Sequence, residues 1–445
     1  MNSADSQSSN LKSGLWRSSL AGVLLAALAY FCILPLIRPR GEFLWGHYRL
    51  KDIYIGIPIT LITLGIILVL AVPARYRRSL SLRLTTILLS LLSALVVCDA
   101  AYALAVMGAG RSNYWLDQAH ISRRYSVADP ELGFVRKPRI YWRGYVPDLN
   151  RMVDYQTDEN GFRNSTAPQQ ADVVFIGDSY TEAAQVSEGD TLVRRVAQLS
   201  GLSAVNLARG AYGPQQELIV LQRYGLTYKP RVVVWQLFEG NDLTDAKAFA
   251  EWKRNPQQVN MSLKERYFNN SLLKEWLTRT RELEYSGTTA TLRYRDGTAR
   301  RIRLRYRYEP DQPSTMRLAM TETLNALEAG QRLCESKGIK LLVVVVPTMV
   351  RVMAPDITFD SVEDQVKYLP EARENQKDFS GTVKEFCAHI GCTVVDGFEA
   401  LRRAAATDNS HLYIPNDEHL DVRGHDVIAQ TLVDEVGTKN LADTQ

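Results

Sequence analysis

The sequence predicts an α/β domain with a parallel sheet covered by helices on both faces, preceded by transmembrane helices. From about residue 171 onward, short β-rich segments alternate with helical patterns, and the segment Leu341–Val346 is apolar throughout. Continuous apolar strands that alternate with helices are typical of parallel sheets buried on both faces. Long apolar segments before residue 110 predict the membrane part.

The predicted strands and helices of this domain follow one another along the chain. Strands are expected at five β-rich segments: 173–176, 204–207, 232–238, 341–346 and 393–395. Helices are expected between them, at 192–199, 217–224, 321–336 and 383–389. In a doubly wound sheet of this kind, the functional site lies at the carboxyl ends of the strands.

Three apolar segments, at about 18–38, 53–74 and 84–107, are long enough to cross a bilayer as helices. Asp99 interrupts the third segment; because a carboxylate at mid-membrane is costly, it is either a functional acid within the span or, as we expect, a residue near the exit interface. No convincing small-residue cleavage site follows the first segment, so we interpret it as a retained anchor. The sequence therefore predicts an integral protein of the cell inner or plasma membrane.

The formal net charge of +4 is concentrated in the membrane part. Residues 1–83 hold ten Lys/Arg against three Asp/Glu, whereas the rest of the chain holds 43 against 46. This distribution argues against nucleic-acid binding. Four arginines in the loop 75–83 favour a cytoplasmic loop and an extracytoplasmic carboxyl-terminal domain, while four basic residues at 38–51 favour the reverse orientation.

The five cysteines form no metal or disulfide framework. Cys32 and Cys98 lie in predicted spans, and Cys334, Cys387 and Cys392 lie in the domain without ligand-like spacing to histidines. Buried thiols are expected, and a Cys387–Cys392 or Cys334–Cys387 bridge stays open for an extracytoplasmic domain. The sequence predicts no metal and no cofactor.

Two segments lie outside the alternating pattern. Residues 111–170 are rich in Arg, Tyr, Pro and Asp and are expected to form an irregular or extended approach segment. An insertion at about 246–313 is expected to contain an amphipathic helix at 264–284 and a hairpin that turns at Asp296-Gly297. In the return strand, arginines alternate with apolar or aromatic residues: Arg301, Arg303, Arg305 and Arg307 with Ile302, Leu304, Tyr306 and Tyr308. The arginine face is either a solvated edge that prevents aggregation or a grip for an anionic glycan or lipid headgroup.

A serine is predicted at the carboxyl end of the first strand of the sheet. Gly177-Asp178-Ser179 follows the apolar segment Val173–Ile176 directly and precedes a helix expected from about Thr181. Amides of a first helical turn and the helix dipole favour negative charge at such a position. The tripeptide occurs often enough by chance that its meaning depends on partner residues elsewhere in the chain.

The candidate base and the acid that orients it lie near the carboxyl terminus, two residues apart. In an extended turn, Asp417 and His419 project to the same side, so that the carboxylate orients an imidazole that accepts the serine proton. His411 has only Asp408 as a nearby acid, and His425 lies one turn into the last predicted helix, where we expect it to pack or cap.

Donors for a developing oxyanion are expected after the second and third strands. Asn241 follows the strand 232–238, and its neutral amide suits a transient alkoxide, although an isolated Asn there would be interpreted as a turn residue. The segment after the strand 204–207 offers a backbone N–H of Gly210 or Ala211 as a further donor.

In this order, the four motifs resemble those of the SGNH hydrolases, also called GDSL-type esterases, over residues 170–437. The resemblance implies a three-layer α/β/α sandwich with a flavodoxin-like parallel sheet. It also implies a role for each matching residue: Ser179 as nucleophile, His419 as base, Asp417 as its orienter, and the N–H groups of Ser179 and of Gly210 or Ala211 with the Asn241 amide as the oxyanion hole.

Two positions depart from the usual pattern of that family. The usual acid–base spacing is Asp-x-x-His, whereas one residue separates Asp417 from His419, which is similar to polysaccharide O-acetyltransferases and membrane-tethered relatives. Ala211 stands where glycine is usual; its backbone N–H is retained, but clearance for the substrate is reduced. The segment 155–163 also resembles the lead-in of membrane-anchored members, and no catalytic role is assigned to it.

These observations predict a membrane-anchored serine esterase that hydrolyses an acyl ester, expected to be acetyl, of a carbohydrate or lipid through an acyl-serine intermediate. The alternative is an O-acyltransferase that passes the acyl group to a cell-envelope or exported polysaccharide, together with polysaccharide-modification partners. A second alternative is a non-catalytic, glycan-binding assembly subunit. The three differ in whether Ser179 reacts and in what accepts the acyl group.

Overall fold

The computed structural model describes residues 72–109, 126–254, 267, 271, 288–304, 313–365, 368, 379–407 and 411–436. The chain divides into two compact units. One unit comprises residues 1–106 and 270–283, and the other comprises residues 107–269 and 284–445.

The described part of the first unit consists mainly of one long helix, α1 (Ala74–Ala109), whose last three residues belong to the second unit. Its section Ala74–Leu104 is long and apolar enough to cross a membrane, and an 18-residue stretch within it has a mean hydropathy of 2.2, which by itself is weak evidence for a span. Because α1 already begins at Ala74, the arginines predicted in a loop at 75–83 are helical instead. The first two predicted spans lie outside the described residues, except for the last three residues of the second.

Asp99 of α1 is buried within the first unit, at 5% exposure. Its carboxylate accepts a hydrogen bond from the Ser271 hydroxyl at 2.8 Å. A hydrogen-bonded carboxyl group costs less to bury than an unpaired one, so this contact reduces the penalty that an acid in an apolar helix would otherwise carry.

The described residues of the second unit form twelve strands and nine α-helices. The strands are β1 (Ser126–Asp129), β2 (Gly133–Arg136), β3 (Tyr141–Val146), β4 (Arg151–Gln156), β5 (Val173–Ile176), β6 (Ala204–Asn206), β7 (Val232–Phe238), β8 (Thr288–Arg293), β9 (Ala299–Leu304), β10 (Lys340–Val346), β11 (Ile357–Phe359) and β12 (Thr393–Asp396). The helices are α2 (Ser179–Glu182), α3 (Leu192–Ser200), α4 (Pro214–Arg223), α5 (Asp242–Arg254), α6 (Pro313–Glu335), α7 (Met349–Met353), α8 (Gly381–Ile390), α9 (Phe398–Thr407) and α10 (Val422–Val436).

Five strands form one parallel sheet in the order β6-β5-β7-β10-β12. Counted along the chain, this order is 2-1-3-4-5, which is that of doubly wound, flavodoxin-like sheets. The five strands correspond to the five predicted ones, and β7, at the centre, is buried at every position. The predicted parallel α/β sheet is therefore confirmed.

Helices pack on both faces of this sheet, and successive strand residues belong to opposite cores. On one face, Val234 of β7 shares a core with Leu432 of α10. On the other face, Trp235 of β7 shares a core with Leu327 of α6. Because side chains of a strand alternate between faces, a continuously apolar strand contributes side chains to both cores. Burial of each large apolar side chain stabilises the fold by about 1.5–3 kcal/mol.

The approach segment is more regular than the sequence predicts. Instead of an irregular or extended stretch, it contains two antiparallel hairpins, β1–β2 and β3–β4. The turn that follows requires glycine at position 161. Gly161 has φ +85°, and a Cβ atom there would lie 2.3 Å from the carbonyl oxygen of Arg136.

Side chains after β4 connect the hairpins to the parallel sheet. Asp158 accepts hydrogen bonds from the N–H groups of Asn160 and Phe162 and from the Asn164 amide at 2.8 Å. The Asn164 side chain donates to the carbonyl oxygen of Asn206 at 2.9 Å and accepts from its N–H at 3.0 Å. Asn206 is the last residue of β6, so this segment packs directly against the sheet edge.

Arg163 braces the chain after the first strand of the sheet. Its guanidinium is 1% exposed and donates to the carbonyl oxygens of Glu182, Ala183 and Val186. It also donates to the carbonyl oxygen of Asp154 in β4 at 3.2 Å. One buried cation thus satisfies carbonyl groups in both the hairpin and the segment that follows Ser179.

Replacing Arg163 with methionine should lower the free energy of unfolding by about 3 kcal/mol, because several buried carbonyl groups would lose their donor. The control is Arg254→Met, at an exposed position near the end of α5, which should change it by less than about 0.5 kcal/mol. Thermal unfolding of the full-length protein in detergent measures both variants. Equal midpoints would contradict the bracing role.

The predicted hairpin of the insertion is present as β8 and β9, with Gly297 at φ +82° in the turn. Ile302 and Leu304 are buried, whereas Arg301 on the opposite face is exposed and donates to Asp360 at 2.9 Å. The arginine face is therefore partly neutralised by this chain's own carboxylate. Three predicted features lie wholly or mostly outside the described residues: the helix at 264–284, Arg305 and Arg307.

The three cysteines of the second unit are buried and carry no disulfide. Neither of the two bridges that the sequence leaves open, Cys387–Cys392 and Cys334–Cys387, is formed. Cys98 is exposed on α1, and Cys32 lies outside the described residues.

Candidate active site

Ser179 lies in a tight turn at the carboxyl end of β5. Gly177 precedes it with φ +154°, and a Cβ atom there would lie 2.9 Å from the side-chain oxygen of Gln236. The Asp178 carboxylate accepts a hydrogen bond from the N–H of Tyr180 at 2.9 Å and so caps the next helix. These contacts fix the half-buried serine as the first residue of α2.

The helix after Ser179 is a single turn rather than a helix that runs on from Thr181. It ends at Ala183, whose left-handed backbone, with φ +53°, stops the helix. One turn aligns few peptide dipoles, so its macrodipole is small. Stabilisation of negative charge at this serine therefore depends on individual N–H groups.

The three residues predicted to act together are in contact. His419 Nε2 lies 2.8 Å from the Ser179 hydroxyl oxygen, and His419 Nδ1 contacts the Asp417 carboxylate. The His419 side chain is 11% exposed, and its ring lies 4.8 Å, centroid to centroid, from the ring of Tyr180. A hydroxyl, an imidazole and a carboxylate hydrogen-bonded in series are the arrangement that activates a serine nucleophile.

The loop that carries this imidazole is a turn rather than an extended segment. The N–H groups of Asp417 and Glu418 both donate to the carbonyl oxygen of Ile414. Glu418 is left-handed, with φ +68°, and its carbonyl oxygen accepts the Tyr180 hydroxyl at 2.8 Å. The reversal at Glu418 turns the carboxylate back towards the imidazole two residues later, which explains how a one-residue separation suffices.

Polar side chains from two other segments hold this loop. Asp148, between β3 and β4, accepts hydrogen bonds from Arg300 of β9 at 2.9 Å and from Asn416 at 2.6 Å. Arg151 of β4 pairs with Asp421 at 2.5 Å. The N–H of Arg303 in β9 also donates to the carbonyl oxygen of Pro415 at 3.3 Å, so the hairpins of the approach segment and of the insertion both contact the loop that carries the candidate base.

Opposing effects set the protonation of His419. Burial by itself would lower its pKa, but the charge and hydrogen bond of Asp417, with further contributions from Asp178 and Glu418, raise the pKa above its ordinary value. The imidazole of His419 therefore loses its proton at a higher pH than an ordinary histidine does.

The other two candidate histidines lie apart from Ser179. His411 hydrogen-bonds the hydroxyl of Tyr294 at 2.7 Å, and burial lowers its pKa. His425 of α10 is 1% exposed, and burial lowers its pKa to about 3, so it is neutral at ordinary pH. Among the described residues, no group of three or more His, Cys, Asp or Glu side chains is arranged to hold a metal ion.

The predicted oxyanion donors differ in availability. Gly210 N–H donates to Glu182 Oε2 at 2.6 Å and is therefore already engaged. Ala211 N–H has no acceptor in the described part of the chain. Asn241 donates through Nδ2 to Asp245 at 3.0 Å, and an amide of this kind carries a second N–H. Of the two backbone donors that the sequence leaves open, the available one is that of Ala211.

Glu182, which engages Gly210, is a buried carboxylate at 3% exposure. Arg136 of β2 and Arg209 pair with it at 2.8 and 2.9 Å, and Tyr155 of β4 donates its hydroxyl. Burial alone would raise the pKa of Glu182, but the two guanidinium groups outweigh burial and hold the pKa well below its usual range. This ion cluster joins the approach segment to the turn that carries the serine.

Two contacts around the site could not be predicted from the sequence: that of Glu182 with Arg136 and that of Gln185 with His419. Glu182 lies next to the recognised motif, but its partner Arg136 is 46 residues away and carries no motif of its own. Gln185 Nε2 lies 3.1 Å from His419 Nδ1 across 234 residues of sequence. A glutamine between Ala184 and Val186 gives no sequence signal for such a contact.

No protein-family model matches the chain, and no curated protein matches it. Solved structures align with it at low identity. They include a member of the lipolytic protein G-D-S-L family from Veillonella parvula (12% identity, 60% of this chain, 98% of that chain, TM-score 0.33). They also include an acetyl xylan esterase (11% identity, 60% of this chain, 99% of that chain, TM-score 0.34). A third is a mutant acetyl-xylooligosaccharide esterase from Geobacillus (13% identity, 61% of this chain, 96% of that chain, TM-score 0.33). At this level of similarity, the chain's own geometry is what supports a functional assignment.

Ala211 has φ +64°, a left-handed backbone that costs an alanine about 1 kcal/mol. Ala211→Gly should therefore leave the free energy of unfolding unchanged or raise it by up to about 1 kcal/mol, because relief of strain offsets the added freedom of the unfolded chain. The control is Ala208→Gly, at a buried position of the same segment without a positive φ. The free energy of unfolding of Ala208→Gly should fall by at least about 0.5 kcal/mol. Thermal unfolding compares the two, and equal losses would contradict the assignment of strain to Ala211.

Proposed function

We propose that this protein is a membrane-anchored serine esterase that removes an acyl group, expected to be acetyl, from a carbohydrate or lipid. The observation that carries the proposal is the hydrogen-bonded series of Ser179, His419 and Asp417. It lies at the carboxyl edge of a parallel sheet, where sites of this architecture are found. The length and apolar composition of α1 support the membrane anchor.

The side chains divide the reaction between them. His419 Nε2 accepts the proton of Ser179 as its oxygen bonds to the acyl carbon, and Asp417 stabilises the imidazolium that forms. The carbonyl electron pair moves onto its oxygen and returns when the bond to the alcohol breaks. His419 then gives its proton to the departing alcohol oxygen. Water repeats the sequence on the acyl-serine and releases the free acid.

Three groups are proposed to hold the transient oxyanion. They are the N–H of Ser179, the N–H of Ala211 and the amide of Asn241. Gly210 is left out because a buried carboxylate already accepts its N–H. A donor aimed at the developing charge is worth about 100- to 1,000-fold in rate.

An O-acyltransferase is the second candidate, because it uses the same residues and differs only in the acceptor of the acyl group. The one-residue separation of Asp417 and His419 is similar to that in polysaccharide O-acetyltransferases, and it supports the acyltransferase as a second candidate function. In that reaction, a polysaccharide hydroxyl replaces water as the group that attacks the acyl-serine.

The proposal predicts that Ser179→Ala abolishes covalent labelling by a fluorophosphonate and lowers acetate release from chromogenic acetyl esters at least about 1,000-fold. The control is Ser336→Ala, an exposed hydroxyl bonded to the Leu333 carbonyl group, which should retain both activities. Full-length protein in detergent is the sample. Labelling and acetate release that survive Ser179→Ala would contradict a serine esterase and favour an assembly subunit.

The same preparation separates hydrolysis from transfer. Acetylated ester donors are incubated with oligosaccharides, and acetate and acetylated oligosaccharide are measured together. An esterase releases acetate regardless of the oligosaccharide, whereas a transferase forms acetylated oligosaccharide at the expense of acetate. Loss of both products in Ser179→Ala ties them to one acyl-serine.

The rate of acetate release should rise with pH through the raised pKa of His419, because only the neutral imidazole accepts the serine proton. The midpoint of kcat/KM should therefore lie above about 6.5, the ordinary value for histidine. Asp417→Asn removes the charge that raises the pKa, so the midpoint should move to lower pH as kcat falls. A rate that stays constant from pH 5 to 8 would rule out His419 as the base.

A further inference from the structure

Two side chains approach the same nitrogen of His419 from different parts of the chain. The Asp417 carboxylate contacts Nδ1 from within the loop, and Gln185 Nε2 lies 3.1 Å from Nδ1 after the short helix α2. A carboxylate only accepts hydrogen bonds, so its contact requires a proton on Nδ1. An amide NH2 group only donates, so it would oppose that proton.

The side-chain oxygen of Gln185 resolves this conflict. Gln185 Oε1 is buried and has no hydrogen-bond partner in the described part of the chain. A half-turn of the terminal amide exchanges its oxygen and nitrogen and brings the oxygen to Nδ1. Both acceptors then face one Nδ1–H, and the unpartnered oxygen gains a donor.

On the basis of the proposed function, we propose that Gln185 is a positioning residue whose amide oxygen is the second acceptor of the Nδ1–H of His419. Together with Asp417, it holds the imidazole in the tautomer whose Nε2 lone pair faces the serine hydroxyl. It acts through His419 and does not touch the reacting atoms.

The surroundings of the imidazole explain why a second acceptor matters. The side chain of Asp417 is 32% exposed, so water competes for its oxygens, whereas His419 is nearly buried. Gln185 lies between Ala183 and Val186, and Arg163 donates hydrogen bonds to the carbonyl oxygens of both residues. The second acceptor is thus carried by the same rigid segment as the nucleophile.

Other charged groups also act on this imidazole. Asp417 and Glu418 contribute from its own loop, and Asp178 contributes from the turn before the serine. His425 of α10 is the fourth titratable group near this imidazole, and its pKa of about 3 leaves it neutral at ordinary pH. A variant that changes only Gln185 leaves these four groups in place, so a shift in the titration of His419 in that variant reports on the glutamine.

The test compares two replacements in the full-length protein. Gln185→Met keeps the shape of the side chain and removes its acceptor, while Gln185→Glu keeps an acceptor and adds a charge. The control is Gln331→Met, which changes a glutamine bonded to Glu335 and Gly391 instead. Two readouts are followed: the pH midpoint of fluorophosphonate labelling at Ser179, and the ring ¹⁵N resonances of His419, assigned with a His419→Asn sample.

Opposite shifts are expected. Gln185→Met should lower the labelling midpoint by about half a pH unit and slow labelling about three- to tenfold, because the imidazolium loses one hydrogen bond. Gln185→Glu should raise the midpoint by about one unit, and Gln331→Met should leave it unchanged. The ¹⁵N resonances of the unmodified protein should show the proton on Nδ1, and Gln185→Met should increase the Nε2–H form.

Two results would overturn the proposal. One is a labelling midpoint that is the same in Gln185→Met, Gln185→Glu and the control. The other is a resting His419 with its proton on Nε2, because Gln185 would then donate to Nδ1. If Ser179 does not react with the fluorophosphonate at all, the serine-esterase proposal fails, and the ¹⁵N resonances alone decide the role of Gln185.

Discussion

The buried charge of Glu182 is the constraint on which the rest of the site depends. A carboxylate at 3% exposure is stable only if its charge is matched, and Arg136 and Arg209 match it from two different segments. Its position at the end of the helix that begins with Ser179 means that the ion cluster fixes the serine turn. It also accepts the N–H of Gly210, whereas the next N–H, that of Ala211, has no acceptor in the described part of the chain.

The hairpins before the parallel sheet are therefore part of the same architecture as the serine. They supply Arg136 and Tyr155 to the ion cluster, and Asp148 and Arg151 to the loop that carries His419. The turn that carries Ser179 and the loop that carries His419 are therefore both contacted by side chains from this approach segment. These contacts flank the pair formed by the Ser179 hydroxyl and His419 Nε2, which lie 2.8 Å apart.

The parts of this structure that depend on a local pattern of residues can be predicted from the sequence. Apolar segments such as Leu341–Val346 predict the central strands because a strand buried on both faces has to be apolar throughout. Ser179, Asp417 and His419 are recognised because each carries its chemistry in its own side chain. The two hairpins are not predicted because their strands mix polar and apolar residues and so lack the continuous apolar pattern of the sheet strands. Glu182 and Gln185 escape because contacts between distant segments leave no local pattern.

The ion cluster around Glu182 also limits where the chain can be truncated at its amino-terminal side without loss of the serine turn. A fragment that starts at the first strand of the parallel sheet would keep Ser179 and His419 but lose Arg136, Tyr155 and Arg163. The carboxylate would then remain buried with a single cation, and removal of one partner from a buried ion pair costs about 3–5 kcal/mol. A soluble fragment that preserves the serine turn therefore has to begin at or before Ser126, where the first hairpin starts.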